Sequence, residues 1–528
     1  MRWTAPPDRR EISLVLFALT VFLLAYNLEA SLELLGVDPE ASRSVVFNRI
    51  VLGRTKVLGK DGRKPHAWRD PLERDIYGDF GWDEGHAAGD GEERSQPKGN
   101  GRHGAMWIGR EAVGPLLGPK LGKTTVDQGL IWWSEDIPKT SVVKHVPGFS
   151  VMDNVFLMNG TLYFVTDDVA SFPNLEEIVV CLGTGYAEWE VISTTEARKK
   201  LGGYGGFIRG VSFIANDFDS HNSTLLALWR TYASLDPSID ASGRTTLATP
   251  ERLIIPHKRF FTDANPEFSE YWIRRARYDT GYHPYTAKAA FPYLTTLYFE
   301  DLEDYMHIAV PWLLERVVIS DRQAASGSHL LEAGQPVYSP PFKLEASEHW
   351  WEPVRLSMAK FFGVEDEGRW DKKVVTYLHN QAAERGARLE TANHEALVKA
   401  LREMGKWHGY EVNVVATTTL ETDWNERMEA IVKSTVVLGP YGHHLFDTMF
   451  MRRTPHSTLM EFFPEETFVR DEELVVGSIG LKYVAWWNSR KFTTDDLPPV
   501  GDSGHDRGAI KVDTDAVVRA VHEILSSS

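Results

Sequence analysis

Apolar positions change their spacing several times along the chain, and those changes mark out the elements. From about Ile131, short β-branched and aromatic runs are interleaved with stretches in which apolar residues recur every three or four positions, the patterns of strand and helix. VFLMNGTLYFV predicts a hairpin turning at Asn159-Gly160, EEIVVCLG and GVSFIAND two strands, and STLLALWRTYASL an amphipathic helix. ERLIIPH and RVVISD read as further strands, with an aromatic helical stretch between Leu297 and Leu314. Trp350 to Glu367 forms a bridge.

Beyond Lys373 the alternation becomes regular. A strand at 373–378 precedes a helix capped by Asn393, with Leu397, Val398, Leu401 and Met404 on one face. A strand at 411–415 then leads to a helix capped near Thr419 that carries Trp424, Met428 and Ile431. Thr435 to Leu438 is the next strand, ended by a turn on Gly439 and Gly442. Leu445, Phe446, Met449 and Phe450 predict a following helix, and Ser457 to Phe463 a returning strand. A helix from Asp471 to Ile479, a strand at 481–486 and a last helix from Asp513 to Leu525 complete the pattern. The last helix, with Val517, Val521 and Ile524 on one side, is expected to pack back across the first domain. Five strands alternating with helices imply a parallel sheet covered on both faces. Periodicity alone therefore predicts two tandem α/β, Rossmann-like domains with a cleft between them.

In such sheets ligands sit at the carboxyl ends of the strands. The glycine turn through Gly439, Tyr441, Gly442, His443 and His444, and Glu461 on the returning strand, should converge there. Backbone amides at a helix start favour an anion. Arg385 and Arg388, in the loop after the first strand of this sheet, are the candidate cationic partners. His443 and His444 diverge by about 100° on a helix, which disfavours one shared metal ion, and His443 is better matched to Asp447 four residues on. In the first domain the loop NDFDSHNST supplies His221, Asp217 and Asp219 as candidate general bases. Asp217-Phe-Asp219 and Asp513-Thr-Asp515 both fit a loose DxD pattern, and two matches in so acidic a chain are read as chance.

The net charge of −17 and the absence of a basic run argue against nucleic acid as a partner. A single cysteine, Cys181, excludes an intrachain disulfide and a cysteine-based zinc site. Ile12 to Tyr26 is the one long apolar run, with Arg2, Arg9 and Arg10 before it and Glu29 and Glu33 after it. Positive charge on the cytosolic side makes this a type II signal anchor with the rest of the chain lumenal. A cleaved signal peptide is the alternative, although Leu28 to Ala30 lacks small residues at both cleavage positions. Residues 83–104 form a polar, glycine-rich segment unable to bury a core. Asn159 and Asn222 begin sequons open to glycosylation in a lumen. IVVCLGTGYAE offers Gly183 and Gly185 of a dinucleotide fingerprint, but Glu188 stands at its third glycine.

VVTYLHN, HEALVKALREM, HGYEVNVV, the 434–464 stretch and LKYVAWWN, together with NGTLYFVTDD, LLALWRTYASLD, ERLIIPH and HWWEPVR, resemble the fungal branch of glycosyltransferase family 61 (DUF563-type catalytic region). The resemblance implies a GT-B-like α/β fold of two Rossmann-like domains facing a cleft. It divides the chain into a cytosolic tail and signal anchor (1–29), a stem and low-complexity segment (30–110), an acceptor-side α/β domain (111–349), a nucleotide-sugar-binding domain (350–500) and a C-terminal tail and helix (501–528). It implies transfer of a xylose- or N-acetylglucosamine-type sugar from a UDP-sugar to a glycan or protein hydroxyl, with inversion, in the Golgi or endoplasmic reticulum membrane. No cofactor is required; a divalent metal is compatible but not expected. Arg388 falls on one of the family's loop arginines, and Glu461 on its glutamate. The chain departs from the family where His379-Asn380 replaces Ser-Arg, Tyr441 the loop histidine, His444 the third glycine and Phe446 a threonine. Those departures support an alternative, a catalytically degenerate member that binds glycans or partners.

Overall fold

The computed structural model describes residues 14–17 and 130–527, except 181–187, 218–222, 258–260, 264–274, 278–283, 308–309, 333, 365–371, 383–385, 418–423 and 502–508. Two large sheets dominate it. The first has nine strands: β1 (Leu130–Trp132), β2 (Ser141–Val146), β3 (Phe149–Met158), β4 (Thr161–Val165), β5 (Glu188–Ile192), β6 (Tyr204–Ala215), β7 (Pro250–Ile254), β10 (Thr295–Leu297) and β11 (Trp312–Ser320). A separate two-stranded ribbon joins β8 (Phe261–Asp263) to β9 (Arg275–Arg277). The order β10-β7-β6-β11-β3-β4-β5 is mixed. β10, β7, β6 and β11 run parallel, while β3 lies antiparallel to both β11 and β4. This is an α/β layer with added β elements, as the patterning suggested. The hairpin forms at Asn159 (φ 49°) and Gly160 (φ 80°), the paired positive φ values that Asn-Gly accepts most readily.

The second sheet is regular. Its strands β12 (Val374–His379), β13 (Glu411–Ala416), β14 (Val436–Pro440), β15 (Thr458–Phe463), β16 (Lys482–Trp487) and β17 (Arg490–Thr493) lie in the order β13-β12-β14-β15-β16-β17. All pairs are parallel except the edge pair β16/β17. Alternate residues face opposite cores, as a buried parallel strand requires. Tyr377, Leu438 and Met460 pack against Leu397, Leu401, Val517 and Val521 on one side. Leu378, Val437 and Leu459 pack against Met428, Ile431 and Phe450 on the other.

That second core is continuous with the first sheet, joining Phe213, Val318 and Trp229 to Val437 and Phe463 in one apolar body. Three buried ring groups at the seam find partners, as their desolvation demands. Trp350 Nε1 donates to the Ser478 carbonyl (2.9 Å), Trp351 Nε1 to that of Met449 (2.8 Å), and Tyr338 to that of Asp471 (2.9 Å). Helix Ser223–Ala233 lies inside this body, with all its residues buried. It is therefore not amphipathic in place: Arg230, on the face expected to meet solvent, lies over the Trp350 ring of the bridge (5.3 Å) and donates to the Leu344 carbonyl (2.6 Å).

Several expectations need correction. The segment EEIVVCLG begins as a short helix, Leu175–Ile178, rather than a strand, and 181–187 lie outside the described residues. Asn393 does not cap its helix. It sits inside helix Thr391–His408, and its side-chain amide donates to the Val512 carbonyl (2.9 Å). The final helix, Thr514–Ser526, is capped by Asp513 but packs on the second sheet through helix Thr391–His408, not across the first domain. The stacked rings of His408 and His522 (4.1 Å) mark that contact. Of the apolar run 12–26 only 14–17 are described, as a helical turn; no helix among the described residues is long and apolar enough to cross a membrane.

Candidate functional site

In the second sheet the chain order reverses between β12 and β14, and a doubly wound sheet opens a crevice at the carboxyl ends of the strands there. Described residues from three segments meet at that point: Thr417 after β13 donates through Oγ1 to Asn380 Oδ1 after β12 (3.2 Å), and Arg427 links Thr417 to Asp447 after β14. The loop after β12 is pinned by Gln381, whose side chain donates to the Leu389 carbonyl and accepts from the Leu389 amide, both at 3.0 Å. Arg388 lies on this loop with its side chain exposed, while its carbonyl accepts from the Ile510 amide (2.8 Å). Arg385 lies outside the described residues.

The loop after β14 needs its glycines. A Cβ at Gly439 would come within 2.8 Å of the Leu378 carbonyl oxygen, and Gly442 adopts φ 137°, ψ 167°, a region essentially reserved for glycine. The segment that follows, His443–Phe450, is a 3-10 helix rather than the expected α-helix. Its hydrogen-bond geometry is poorer, so the anion-attracting dipole at its start is weaker than anticipated. Tyr441 does not extend into the crevice; its ring stacks on Phe463 (centroids 5.3 Å apart, 16° between planes).

His444 occupies the space beneath the turn. Its ring hydrogen-bonds the Pro440 carbonyl, and Nε2 is buried with no partner. Burial above all, together with the charge of Arg427, pushes this imidazole down to about 4, so it is neutral at physiological pH. A ring whose Nδ1–H is given to a carbonyl keeps a lone pair on Nε2, which suits a hydroxyl donor. His443 is exposed.

Arg427 is the cation that the sequence reading missed. It projects from helix Trp424–Lys433 toward the strand ends, with Nη2 donating to Asp447 (3.0 Å) and Nη1 to the Thr417 carbonyl (3.3 Å). Its Nε is buried without a partner. Asp447 is thus paired with Arg427 and not with His443, because the 3-10 helix turns faster than an α-helix and swings the carboxylate inward. Burial raises the Asp447 pKa and Arg427 opposes that rise. No spacing rule pointed to Arg427, since its role depends on where helix Trp424–Lys433 crosses the sheet.

Glu461 was expected at the end of its strand, open to the crevice. It sits two residues inside β15, opposite Gly439, and is fully buried. Its Oε2 accepts from Tyr483 (2.6 Å). Burial pushes it up to about 8, against the opposing Tyr483 and Gly442 hydrogen bonds. Glu461 therefore braces the glycine turn from beneath as a neutral acid.

In the first sheet, Asp217 follows β6 and is 6% exposed. It accepts from the Arg322 amide (2.6 Å) and Thr224 (3.1 Å) and pairs with Arg322 Nε (3.5 Å). Its burial raises its pKa, but its oxygens are committed to holding the loop. Asp219, His221 and Asn222 lie outside the described residues. His257, which ends the ERLIIPH run, shares this strand end, with Nε2 2.7 Å from Asn216 Oδ1. Asn159 is exposed at its hairpin tip. Among the described residues no cluster of three or more His, Cys, Asp or Glu is arranged for a metal ion.

No protein-family model matches the chain, and no curated protein matches it. Among solved structures, the rubredoxin oxygen:oxidoreductase of the anaerobe Desulfovibrio gigas is similar over 34% of this chain and 42% of that one, at 11% identity and a TM-score of 0.18. A likeness that slight carries no argument about fold or activity.

Proposed function

We propose that the chain is a glycosyltransferase of GT-B type that binds a UDP-sugar at the β12/β14 crevice and transfers the sugar, with inversion, to a glycan or protein hydroxyl. The resemblance to glycosyltransferase family 61 rests on the stretches quoted above. The observation that carries the reading is the pairing of Arg427 and His444 at the topological switch point of a parallel sheet, each with a buried ring or guanidinium nitrogen unengaged. In this arrangement the pyrophosphate charge falls to Arg427, and His444 Nε2 accepts from a ribose or sugar hydroxyl. Arg388 and the loop amides are secondary. A base from the first domain, with His221, Asp219 or His257 as the nearest choices by sequence and strand end, would take the acceptor proton. The type II lumenal placement follows from the N-terminal run.

A second reading is favoured by particular contacts. Tyr441 lies flat on Phe463, Arg388 is exposed, and Glu461 is buried, with Oε2 accepting from Tyr483. A relative that has lost donor turnover and binds glycans or partners would look like this. Calorimetry of the full chain with UDP, followed by a UDP-sugar hydrolysis screen, separates the two. Saturable UDP binding with hydrolysis supports the transferase, whereas a chain that neither binds UDP nor hydrolyses any UDP-sugar ends that reading and leaves the relative that binds glycans or partners.

A further inference from the structure

A cavity of about 350 Å³ opens at the seam between the two halves, walled by Arg230, Phe342, Ser347, Trp350, Glu473 and Gly477. A volume of that size lies in the range of small-molecule sites. Its unusual member is Arg230. This side chain comes from the wholly buried helix Ser223–Ala233 and is itself 6% exposed.

Arg230 makes only neutral contacts. Nη2 donates to the Leu344 carbonyl (2.6 Å) and sits 3.5 Å from that of Phe342, while Nε and Nη1 have no hydrogen-bond partner. The guanidinium faces the rings of Trp350 (5.3 Å) and Phe342 (5.9 Å). Burial alone lowers it to about 10, with no carboxylate acting against the shift, and it stays charged at neutral pH. A buried charge is ordinarily paired. The nearby acids are otherwise engaged: Glu473 with Arg470 (2.9 Å), and Glu348, 77% exposed at the rim, with His349 (3.2 Å).

We propose that this cavity is a binding site for a small organic carboxylate, whose single negative charge meets Arg230 and whose apolar or aromatic body lies against Phe342 and Trp350. Glu473 and Glu348 make the rim acidic, which favours a monoanion over a phosphate dianion. An aromatic wall beside a guanidinium accommodates both parts of such a ligand. The site is independent of the donor crevice and of the activity proposed for it.

The test uses the full chain, with benzoate as the probe, benzyl alcohol as its neutral counterpart and inorganic phosphate as the dianion, read by calorimetry and ligand-observed NMR. Benzoate is expected to bind saturably and more tightly than either comparison compound. Arg230→Met should weaken benzoate by about tenfold or more, the scale of a charge-assisted hydrogen bond. Should that variant fail to fold, Gly477→Leu serves in its place. A Cβ at Gly477 meets nothing within 4 Å, so the larger side chain can project over the mouth, abolishing benzoate binding while the thermal transition is kept. Failure of benzoate to saturate, tighter binding of phosphate or benzyl alcohol, or benzoate affinity unchanged in Arg230→Met or Gly477→Leu would each overturn the proposal.

Discussion

Replacing Arg427 with methionine removes the cation from the crevice and leaves Asp447 without its partner. The ion pair is short (3.0 Å), and both side chains are 16% exposed, so most but not all of the penalty for breaking a buried pair applies. Such breaks cost about 3–5 kcal/mol when fully buried; the remaining exposure reduces this to roughly 2–3 kcal/mol. An unfolding entropy near 2.1 cal/mol/K per residue makes a long chain's Tm comparatively unresponsive, so the expected fall is only about 3 °C. The loss must depend on pH. Asp447 already has a raised pKa in the folded chain, and without Arg427 it rises further, so the variant's deficit is smallest in acid, where the carboxyl is neutral, and grows as pH rises through the folded value. Arg427→Met/Asp447→Asn should recover most of the stability at pH 7 while UDP binding stays lost. Differential scanning fluorimetry between pH 5 and 8, with UDP calorimetry on both variants, measures each part. A single variant with unchanged Tm, or a double variant that binds UDP as wild type does, refutes the reasoning.

Three further outcomes follow from the same geometry. Burial raises Glu461 from the ordinary 4.5 to about 8, so its contribution is fully present below the lower value and is lost as pH rises to the upper one; Glu461→Gln should match wild type near pH 4 and exceed its Tm by a margin that grows up to about pH 8, as a thermal pH series will show. Gly442→Ala forces a side chain into φ 137° and to 3.3 Å from the His444 ring, costing about 1–3 kcal/mol in denaturant titration. Asp217→Ala strands Arg322 and the loop after β6, so it should lower stability by about 1–3 kcal/mol without changing UDP affinity; an unchanged Tm would return Asp217 to the list of candidate bases.

The regular half of the molecule was legible because its signals are local. Alternating apolar runs located β12 to β16 to within a residue or two, and Leu397, Leu401, Met428 and Ile431 are buried as their spacing required. Asn159-Gly160 named its own turn. Tertiary placement accounts for what the pattern missed. Helix Ser223–Ala233 carries a polar face in sequence, yet Trp350 of the bridge covers it at Arg230. The helix after Gly442 tightened to a 3-10 form, which gave Asp447 to Arg427. Arg385 and Arg388 stand out in sequence because their loop follows the first strand of the sheet, and the family resemblance favours Arg388, whereas Arg427, some forty positions later, reaches that strand end through the crossing of its helix. Glu461 faces inward because β15 runs two residues past it, fixing which way its side chain points.

The central claim, that the β12/β14 crevice holds a nucleotide diphosphate through Arg427, is tested most directly by titrating UDP into the full chain in a calorimeter beside Arg427→Met/Asp447→Asn. The account predicts saturable binding by wild type, with about 2.7 kcal/mol of added stability when UDP stands near 100 times its Kd, and none by the double variant. Equal heats from the two proteins, or no binding by wild type, would contradict it.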